Sequence, residues 1–347
     1  MKFSGGRKIL VTGAAGFIGS AICKVLAERG WEVIGIDSLN NYYPVILKKA
    51  RLKKLGIYSS DLVREAIRSD KFPNLTFIEA DITDRQMMEK IFREFTPDIV
   101  VNMAAQAGVR YSLENPYSYV HNNIDGFLVL LECARHWPVR KFIYASSSSI
   151  YGGNEKVPFS EEDAADNPMS LYAATKRSNE LMAKAYNNLF AIPAIGLRFF
   201  TVYGPWGRPD MAPMLFAEAI MKGETIKVFN EGNLSRDFTY IDDIVEGIML
   251  VVEDDKEITA AEVYNIGHGS PVKLLDFISL LENALGKEAK KEYLPMQKGD
   301  VYTTYADTTR FQNRYGYCPS TELKDGIKKF ADWFCDYRQL AHCNSIE

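Results

Sequence analysis

No stretch of the 347-residue chain approaches the roughly twenty consecutive apolar residues that a membrane-spanning helix needs, so a bilayer-embedded protein is not expected. An excess of positive charge is also missing. Lys and Arg number 41 against 45 Asp and Glu, a net charge of -4, and the basic residues are dispersed, which leaves no electrostatic footprint for nucleic acid. Cysteine is scarce and odd in number: Cys23, Cys133, Cys318, Cys335 and Cys343 lie scattered without metal-ligand spacing. A disulfide framework is thereby excluded, and no metal site is expected. Internal repeats and low-complexity segments are lacking too. The opening residues Met1-Lys2-Phe3-Ser4-Gly5-Gly6-Arg7 have no apolar core of the kind a signal peptide carries, so the expected location is cytoplasmic. What the chain does have is 47% hydrophobic content, ample for a packed core in one large or two modest domains.

The apolar run Ile9-Leu10-Val11 reads as a buried strand, and Gly13-Ala14-Ala15-Gly16-Phe17-Ile18-Gly19 follows it with three glycines at GxxGxxG spacing. Such glycines permit a tight turn, close approach of backbone to a pyrophosphate, and close packing of a helix that starts near Phe17 and points its N-terminus at phosphate. A second apolar strand, Glu32-Val33-Ile34-Gly35-Ile36, ends at Asp37, where a carboxylate can accept hydrogen bonds from an adenosine ribose and repel a 2′-phosphate. NAD is therefore favoured over NADP. Further strands lead into Asp81-Ile82 and into Asn102-Met103-Ala104-Ala105, whose small residues suit either a cofactor lying on backbone or close helix packing.

Strand and helix patterns alternate from residue 8 to about 200, which predicts an α/β fold: a Rossmann-type, doubly wound parallel sheet with helices on both faces. Helical patterns fall at 84–95, 116–135 and 170–189. The insert between Asp37 and Leu75 is too long for a simple crossover, and its segment 44–55 carries Lys48, Lys49, Arg51, Lys53 and Lys54, which reads as a solvated basic face. Beyond Phe200, Pro205, Gly207, Pro209 and Pro213 break the alternation. A smaller C-terminal α/β region closing over the carboxyl ends of the strands is the expected consequence.

Tyr172 and Lys176 stand four residues apart on one predicted helix face. A free tyrosine titrates near ~10, but a neighbouring ammonium and a positively charged nicotinamide ring favour phenolate, making Tyr172 a usable base. Upstream, a strand runs into Ser146-Ser147-Ser148-Ser149-Ile150-Tyr151-Gly152. A hydroxyl at that strand end can hold the same substrate oxygen as Tyr172, and a serine-rich turn capping its own backbone is the alternative reading.

Taken together, the glycine turn, Asp37, Asp81-Ile82, the serine run and the Tyr172/Lys176 pair resemble the extended short-chain dehydrogenase/reductase (NAD-dependent epimerase/dehydratase) family of sugar-nucleotide enzymes, over essentially the whole chain. More narrowly, three longer strings resemble UDP-glucuronate 4-epimerases. These are Ala104-Ala105-Gln106-Ala107-Gly108-Val109-Arg110-Tyr111-Ser112, the run from Arg198 through Thr201, Trp206 and Arg208 to Met211, and Pro295-Met296-Gln297-Lys298-Gly299-Asp300-Val301.

The resemblance implies Ser147, Tyr172 and Lys176 as catalytic residues. It implies a cofactor-binding set of Gly13, Gly16, Phe17, Ile18, Gly19, Asp37, Asn41, Asp81, Ile82, Ala104, Ala105, Gln106 and Asn122, together with Tyr172 and Lys176. A UDP-sugar set of Arg110, Ser147, Ser148, Ser149, Thr201, Arg208, Arg236 and Asp300 is implied as well, with Arg236 on the diphosphate and Arg208 and Asp300 on the uracil and ribose side. Residues 1–200 are expected to bind NAD and residues 201–347 mainly the UDP-sugar, with some strand and helix exchange back to the first domain. The implied cycle oxidises C4 of UDP-glucuronate to a ketone and returns hydride to the opposite face, so NAD must be tightly held and recycled. Decarboxylases of the family carry a Glu where Ser149 stands, and 4,6-dehydratases an Asp-Glu pair in place of Ser148-Ser149. Hydroxyls here favour a 4-epimerase making UDP-galacturonate; a UDP-glucuronate decarboxylase, a 4-epimerase or dehydratase of another UDP-sugar, and a catalytically silent NAD-binding sensor remain as alternatives. The helical segments 116–135 and 170–189 resemble those through which relatives form homodimers, although Phe127, Leu128, Leu130 and Leu131 fit an intrachain core equally well.

Overall fold

The computed structural model describes residues 7–58, 66–296 and 301–343. Fourteen strands are found among them: β1 (Lys8–Thr12), β2 (Glu32–Asp37), β3 (Ile67–Arg68), β4 (Leu75–Glu79), β5 (Ile99–Asn102), β6 (Lys141–Ser147), β7 (Ala194–Phe199), β8 (Thr201–Tyr203), β9 (Thr225–Phe229), β10 (Ser235–Tyr240), β11 (Glu262–Ile266), β12 (Pro271–Lys273), β13 (Lys290–Leu294) and β14 (Thr303–Thr304). Eight form one sheet in the order β11-β7-β6-β5-β1-β2-β4-β3. Every pair is parallel except β3 with β4. The chain builds outward from β1 through β2 to β4, then returns to lay β5 on the other side of β1. That reversal opens the crevice in which open α/β sheets bind ligands.

Strands buried on both faces need apolar residues at every position, and β1 shows why. Ile9 and Val11 pack into the cluster that holds the helices Phe17–Glu28 and Ile241–Glu253, while Leu10 enters the opposite cluster with Phe92, Phe127 and Leu130. Phe127, Leu130 and Leu131 are core residues of the chain itself, whereas their neighbour Leu128 is exposed.

The predicted helix at 84–95 is found as Arg85–Phe95 with Asp84 capping Met87 N, and that at 170–189 as Leu171–Phe190 with Ser170 capping Ala173 N. The helical run at 116–135 differs from the expectation. It contains a π turn, Val120–Asp125, between the α segments Pro116–Tyr119 and Gly126–His136. Asn179 Nδ2 donates to the carbonyl of Asn123 at 2.6 Å and so diverts an oxygen that a regular helix would use internally.

After Phe200 the chain builds a smaller lobe. There β10 pairs with β12, β14 and β8, β9 pairs with β13, and β11 returns to complete the edge of the large sheet. The helices Leu274–Leu285 and Leu323–Cys343 back this lobe through Phe277, Phe330 and Phe334. No helix among the described residues is long and apolar enough to cross a membrane.

The basic segment is the largest departure from the sequence reading. Its helix, Val45–Lys54, leaves Lys49, Lys53 and Lys54 exposed as a solvated face would, but buries Lys48 and Arg51 while Ile46 is 66% exposed. Leu47, Leu52 and Leu55 set the inward stripe, and Lys48 and Arg51 fall on that stripe by helical spacing.

Candidate active site

The carboxyl ends of β1, β5 and β6 open onto a cavity of about 480 Å3, closed on the other side by Arg208, Met211 and Arg236 of the smaller lobe. Its floor is the glycine turn. Gly13 has φ +68°, and a Cβ there would stand 2.9 Å from Ala104 N; at Gly19 a Cβ would stand 2.1 Å from the Gly13 carbonyl oxygen. Only glycine lets the turn, its helix and the end of β5 meet this closely. Phe17 and Ile18 line the cavity at the start of the helix, which has no side-chain cap, so its first N–H groups are available to phosphate oxygens.

Asp37 closes β2 with its carboxylate held by Ala15 N (3.1 Å) and Leu39 N (2.9 Å). Lys48 Nζ lies 3.7 Å from the same group and donates to Asn40 Oδ1 at 2.9 Å. Asn41, assigned to the cofactor from resemblance, does not belong here: it is exposed and forms no part of the cavity wall. Its neighbour Asn40, exposed as well, does border the cavity, where Lys48 holds its Oδ1.

Asp81, Ile82, Ala104, Ala105, Gln106 and Asn122 all border the cavity. Asn122 donates to its own helix at Ser118 O, and Asn123 next to it makes the long-range ties. Asn123 exchanges hydrogen bonds with both backbone groups of Gln106 (2.8 and 2.9 Å) and donates to Thr175 Oγ1 at 3.0 Å. The π turn is what aims Asn123 at that loop. Sequence spacing alone does not distinguish the two asparagines.

Tyr172 and Lys176 rise from the first turns of the helix Leu171–Phe190 and face the serine run at the end of β6. Lys176 is buried and donates to Ala145 O at 2.8 Å. Burial first, and the nearby positive charge of Arg208 second, bring its ammonium down to about 8. Burial pushes the Tyr172 phenol up; a hydrogen bond with Ser147 and the charge of Arg208 pull it back down, against Asp210. Arg208 thus adds positive charge on the Tyr172 side of the cavity, while Lys176 Nζ is held by the strand carbonyl one turn further along the same helix. Ser147 Oγ accepts from Ser149 N (3.2 Å) and Ser149 Oγ (2.9 Å), which leaves its own proton to donate.

Ser148, Ser149 and Thr201 border the same space. Arg208 pairs with Asp210, which also accepts from Tyr42 OH at 3.0 Å. Arg208 and Tyr172 line the same cavity, and the charge of Arg208 acts on the phenol. Arg110 lines the cavity with its guanidinium 5.3 Å from the Phe229 ring centroid, so it reaches across to β9. Arg236 also lines it and donates to Ser235 O and Tyr302 O. Asp300 lies outside the described residues. Among the described residues no group of three or more His, Cys, Asp or Glu is placed to hold a metal ion. Sequence reasoning missed Lys48, Tyr42, Arg51 and Asp210. For the two cations the leucine stripe of their helix was the available signal; Tyr42 and Asp210 meet only through the fold.

A model of the NAD dependent epimerase/dehydratase family matches residues 9–267. Protein CapI of Staphylococcus aureus is 49% identical over 345 residues, covering 95% of this chain and 99% of that protein. UDP-glucuronate 4-epimerase 4 of Arabidopsis thaliana is 44% identical over 350 residues, covering 96% of this chain and 76% of that one. Among solved structures, UDP-glucuronic acid 4-epimerase from Bacillus cereus in complex with UDP-glucuronic acid and NAD aligns with a TM-score of 0.85 at 36% identity, covering 95% and 99% of the two chains.

Proposed function

Because the chain belongs to the NAD-dependent epimerase/dehydratase family, we propose that it interconverts UDP-glucuronate and UDP-galacturonate by inverting C4 of the sugar. The observation that carries this reading is the meeting, in one cavity, of a glycine turn at a helix N-terminus, the Ser147/Tyr172/Lys176 group, and the neutral hydroxyls of Ser149 and Thr201.

The site suits NAD on its own geometry, since the glycine cradle has no room for a Cβ and Asp37 is held with its carboxylate at the cavity edge. Gly13, Gly16 and Gly19 would take the pyrophosphate and Asp37, with Lys48 and Asn40, the adenosine ribose. Bound NAD supplies a hydride acceptor and donor. Tyr172 takes the proton of the sugar 4-hydroxyl as that carbon is oxidised and returns it when the ketone is reduced on its other face. Ser147 donates to the same oxygen and fixes its position. Lys176 and Arg208 supply the positive surroundings that make a phenolate tolerable in a buried place.

Once C4 is a ketone, the C5 carboxylate is that of a β-keto acid and leaves as carbon dioxide if its bond turns perpendicular to the carbonyl plane. Ser149 and Thr201 bind that carboxylate without repelling it and hold it away from that angle. Arg236 and Arg110 serve the diphosphate side, as forked donors suit phosphate oxygens. In the same reading residues 1–200 grip the cofactor and 201–347 the UDP-sugar, and the protein works as a homodimer in the cytoplasm. Cys23, Cys133, Cys318 and Cys335 are unpaired.

Incubation with UDP-glucuronate and NAD, followed by NMR of the products, tests the reading. UDP-galacturonate is expected. A UDP-pentose with carbon dioxide would make the protein a decarboxylase, and no turnover would leave a silent nucleotide-binding protein.

A further inference from the structure

Arg51 is the most deeply buried arginine among the described residues, 1% exposed, on a helix whose other cations largely face solvent. All five of its hydrogen bonds run to neutral acceptors. Nε and Nη2 donate to the carbonyl of Trp206 (3.1 and 2.8 Å), and Nη2 donates also to that of Gly207 (3.1 Å). Nη1 donates to Ala15 O (3.1 Å) and to Tyr43 OH (2.7 Å). One planar fork thus joins the glycine turn to the loop that follows β8.

The two carbonyls it holds are those immediately before Arg208. The loop needs such a hold, because Trp206 has φ +66°, a conformation costly for a residue with a bulky side chain. From the outer side Trp206 packs on Trp333 and Tyr337 of the helix Leu323–Cys343, with ring centroids 5.3 and 5.8 Å away. The indole is wedged between these rings and Lys54, while Arg51 fixes the backbone beneath it. Arg208 follows at once and lines the same cavity as Tyr172.

We infer that Arg51 is a positioning residue: by clamping the Trp206 and Gly207 carbonyls to the glycine turn it sets where the Arg208 guanidinium stands relative to the Tyr172 hydroxyl. The inference rests on Tyr172 being the acid–base of the proposed reaction. The groups that face Tyr172 are Ser147 from the end of β6, Arg208 and Asp210 from the loop after β8, Tyr119 from the neighbouring helix with its ring centroid 6.0 Å away, and Lys176 on its own helix. Of these, only Arg208 and Asp210 ride on the segment that Arg51 holds. A displaced Arg208 withdraws positive charge from the phenol. A lysine in place of Arg51 keeps the charge but presents a single point donor where two carbonyls and a turn need a fork.

The test is a double-mutant cycle on Arg51→Lys and Arg208→Gln, with Arg51→Gln as a second variant should the first not fold. Arg51→Lys is expected to lower kcat on UDP-glucuronate about tenfold with KM within about threefold, and to move the acid limb of the kcat–pH profile to higher pH. In the Arg208→Gln background the same change is expected to add nothing, because its route is already cut. A tyrosinate difference titration, each protein minus its Tyr172→Phe counterpart, reads the same upward movement without turnover. Additive losses in both backgrounds, or an unmoved acid limb, overturn the inference. If the wild-type protein does not turn over UDP-glucuronate the functional reading fails instead, and the titration still decides whether Arg51 acts on Tyr172.

Discussion

Arg198 on β7 grips Glu180 of the helix Leu171–Phe190 through two parallel hydrogen bonds, each 2.9 Å, with both side chains almost wholly buried. The pair lies directly beneath the proposed catalytic group. Glu180 Oε1 also accepts from Ser146 Oγ at 2.7 Å, and Arg198 Nη1 donates to Tyr151 OH at 2.9 Å, so the two ends of the serine run are tied to the helix that carries Tyr172 and Lys176. Removing Arg198 leaves Glu180 charged and buried, with the more exposed Arg177 at 3.0 Å as its remaining cation. Arg198→Met is expected to lower unfolding free energy by about 3–5 kcal/mol in urea titrations, the range for breaking a buried ion pair. A loss below about 1 kcal/mol would mean that the network is not a structural anchor.

Tyr172→Phe should leave the fold and bound NAD intact and reduce turnover of UDP-glucuronate by about 10²–10⁴, the usual worth of a positioned acid–base. Nucleotide content after denaturation and product NMR give the two halves of the measurement. Activity within tenfold of wild type would remove Tyr172 from the proposed chemistry.

The parts of this site that were legible in the sequence are those built from local pattern. Gly13, Gly16 and Gly19 follow a strand, Asp37 ends the next one, and Tyr172 and Lys176 share a helix face, so each announces itself within a few residues. What stayed hidden depends on long-range geometry. The resemblance implies Asn41, but in the fold it is Asn40, held by Lys48, that borders the cavity. A cluster of lysines and arginines over one short stretch looks like a solvated face until the fold presses its leucine stripe against the core and takes Lys48 and Arg51 with it. Asn123 matters only because the helix unwinds by one residue there, a break set by Asn179 from another helix.

Lys176 gives the NAD-stripped protein a distinct pH signature. Its buried ammonium titrates near about 8 rather than at its ordinary 10.5, so between those values the unfolded chain binds more protons than the folded one. Stability from this group therefore rises with pH from about 8 upward. Buried thiols such as Cys23 and Cys133 act in the opposite sense above their ordinary 9, and buried tyrosines such as Tyr172 above 10. They do so in wild type and in a Lys176 variant alike, so the difference between the two proteins over pH 8–10 reads Lys176. Urea titrations across that window should show wild type gaining about 2 kcal/mol relative to Lys176→Met. Parallel curves for the two proteins would mean that Lys176 is not held as a strained ammonium.

Carboxylate control is tested by Ser149→Ala and Thr201→Ala. Each removes one neutral hydrogen bond to the sugar carboxylate, with an expected rise in KM of about tenfold, since a hydrogen bond to a charged group contributes roughly 1.5–3 kcal/mol. The double variant should also release measurable carbon dioxide from UDP-glucuronate, because the β-keto acid is then free to turn its scissile bond out of the carbonyl plane. Unchanged KM together with no carbon dioxide would show that these hydroxyls do not hold the carboxylate.

The proposed homodimer has a defined face. Leu128 is exposed on the helix Gly126–His136, as are Leu181 and Leu189 on Leu171–Phe190, while Phe127, Leu130 and Leu131 are already used in the chain's own core. Exposed leucines on two adjacent helices of this kind are best covered by the same pair from a second copy, in a self-complementary contact. A charge there must be desolvated on association, so Leu128→Glu combined with Leu181→Glu should shift light-scattering mass from two chains to one while leaving the circular dichroism of the fold unchanged. Both exchanges lie on the outer faces of their helices, away from Tyr172 and the cavity, so the monomer should retain bound NAD. A variant that still weighs two chains would place the dimer contact elsewhere on the surface.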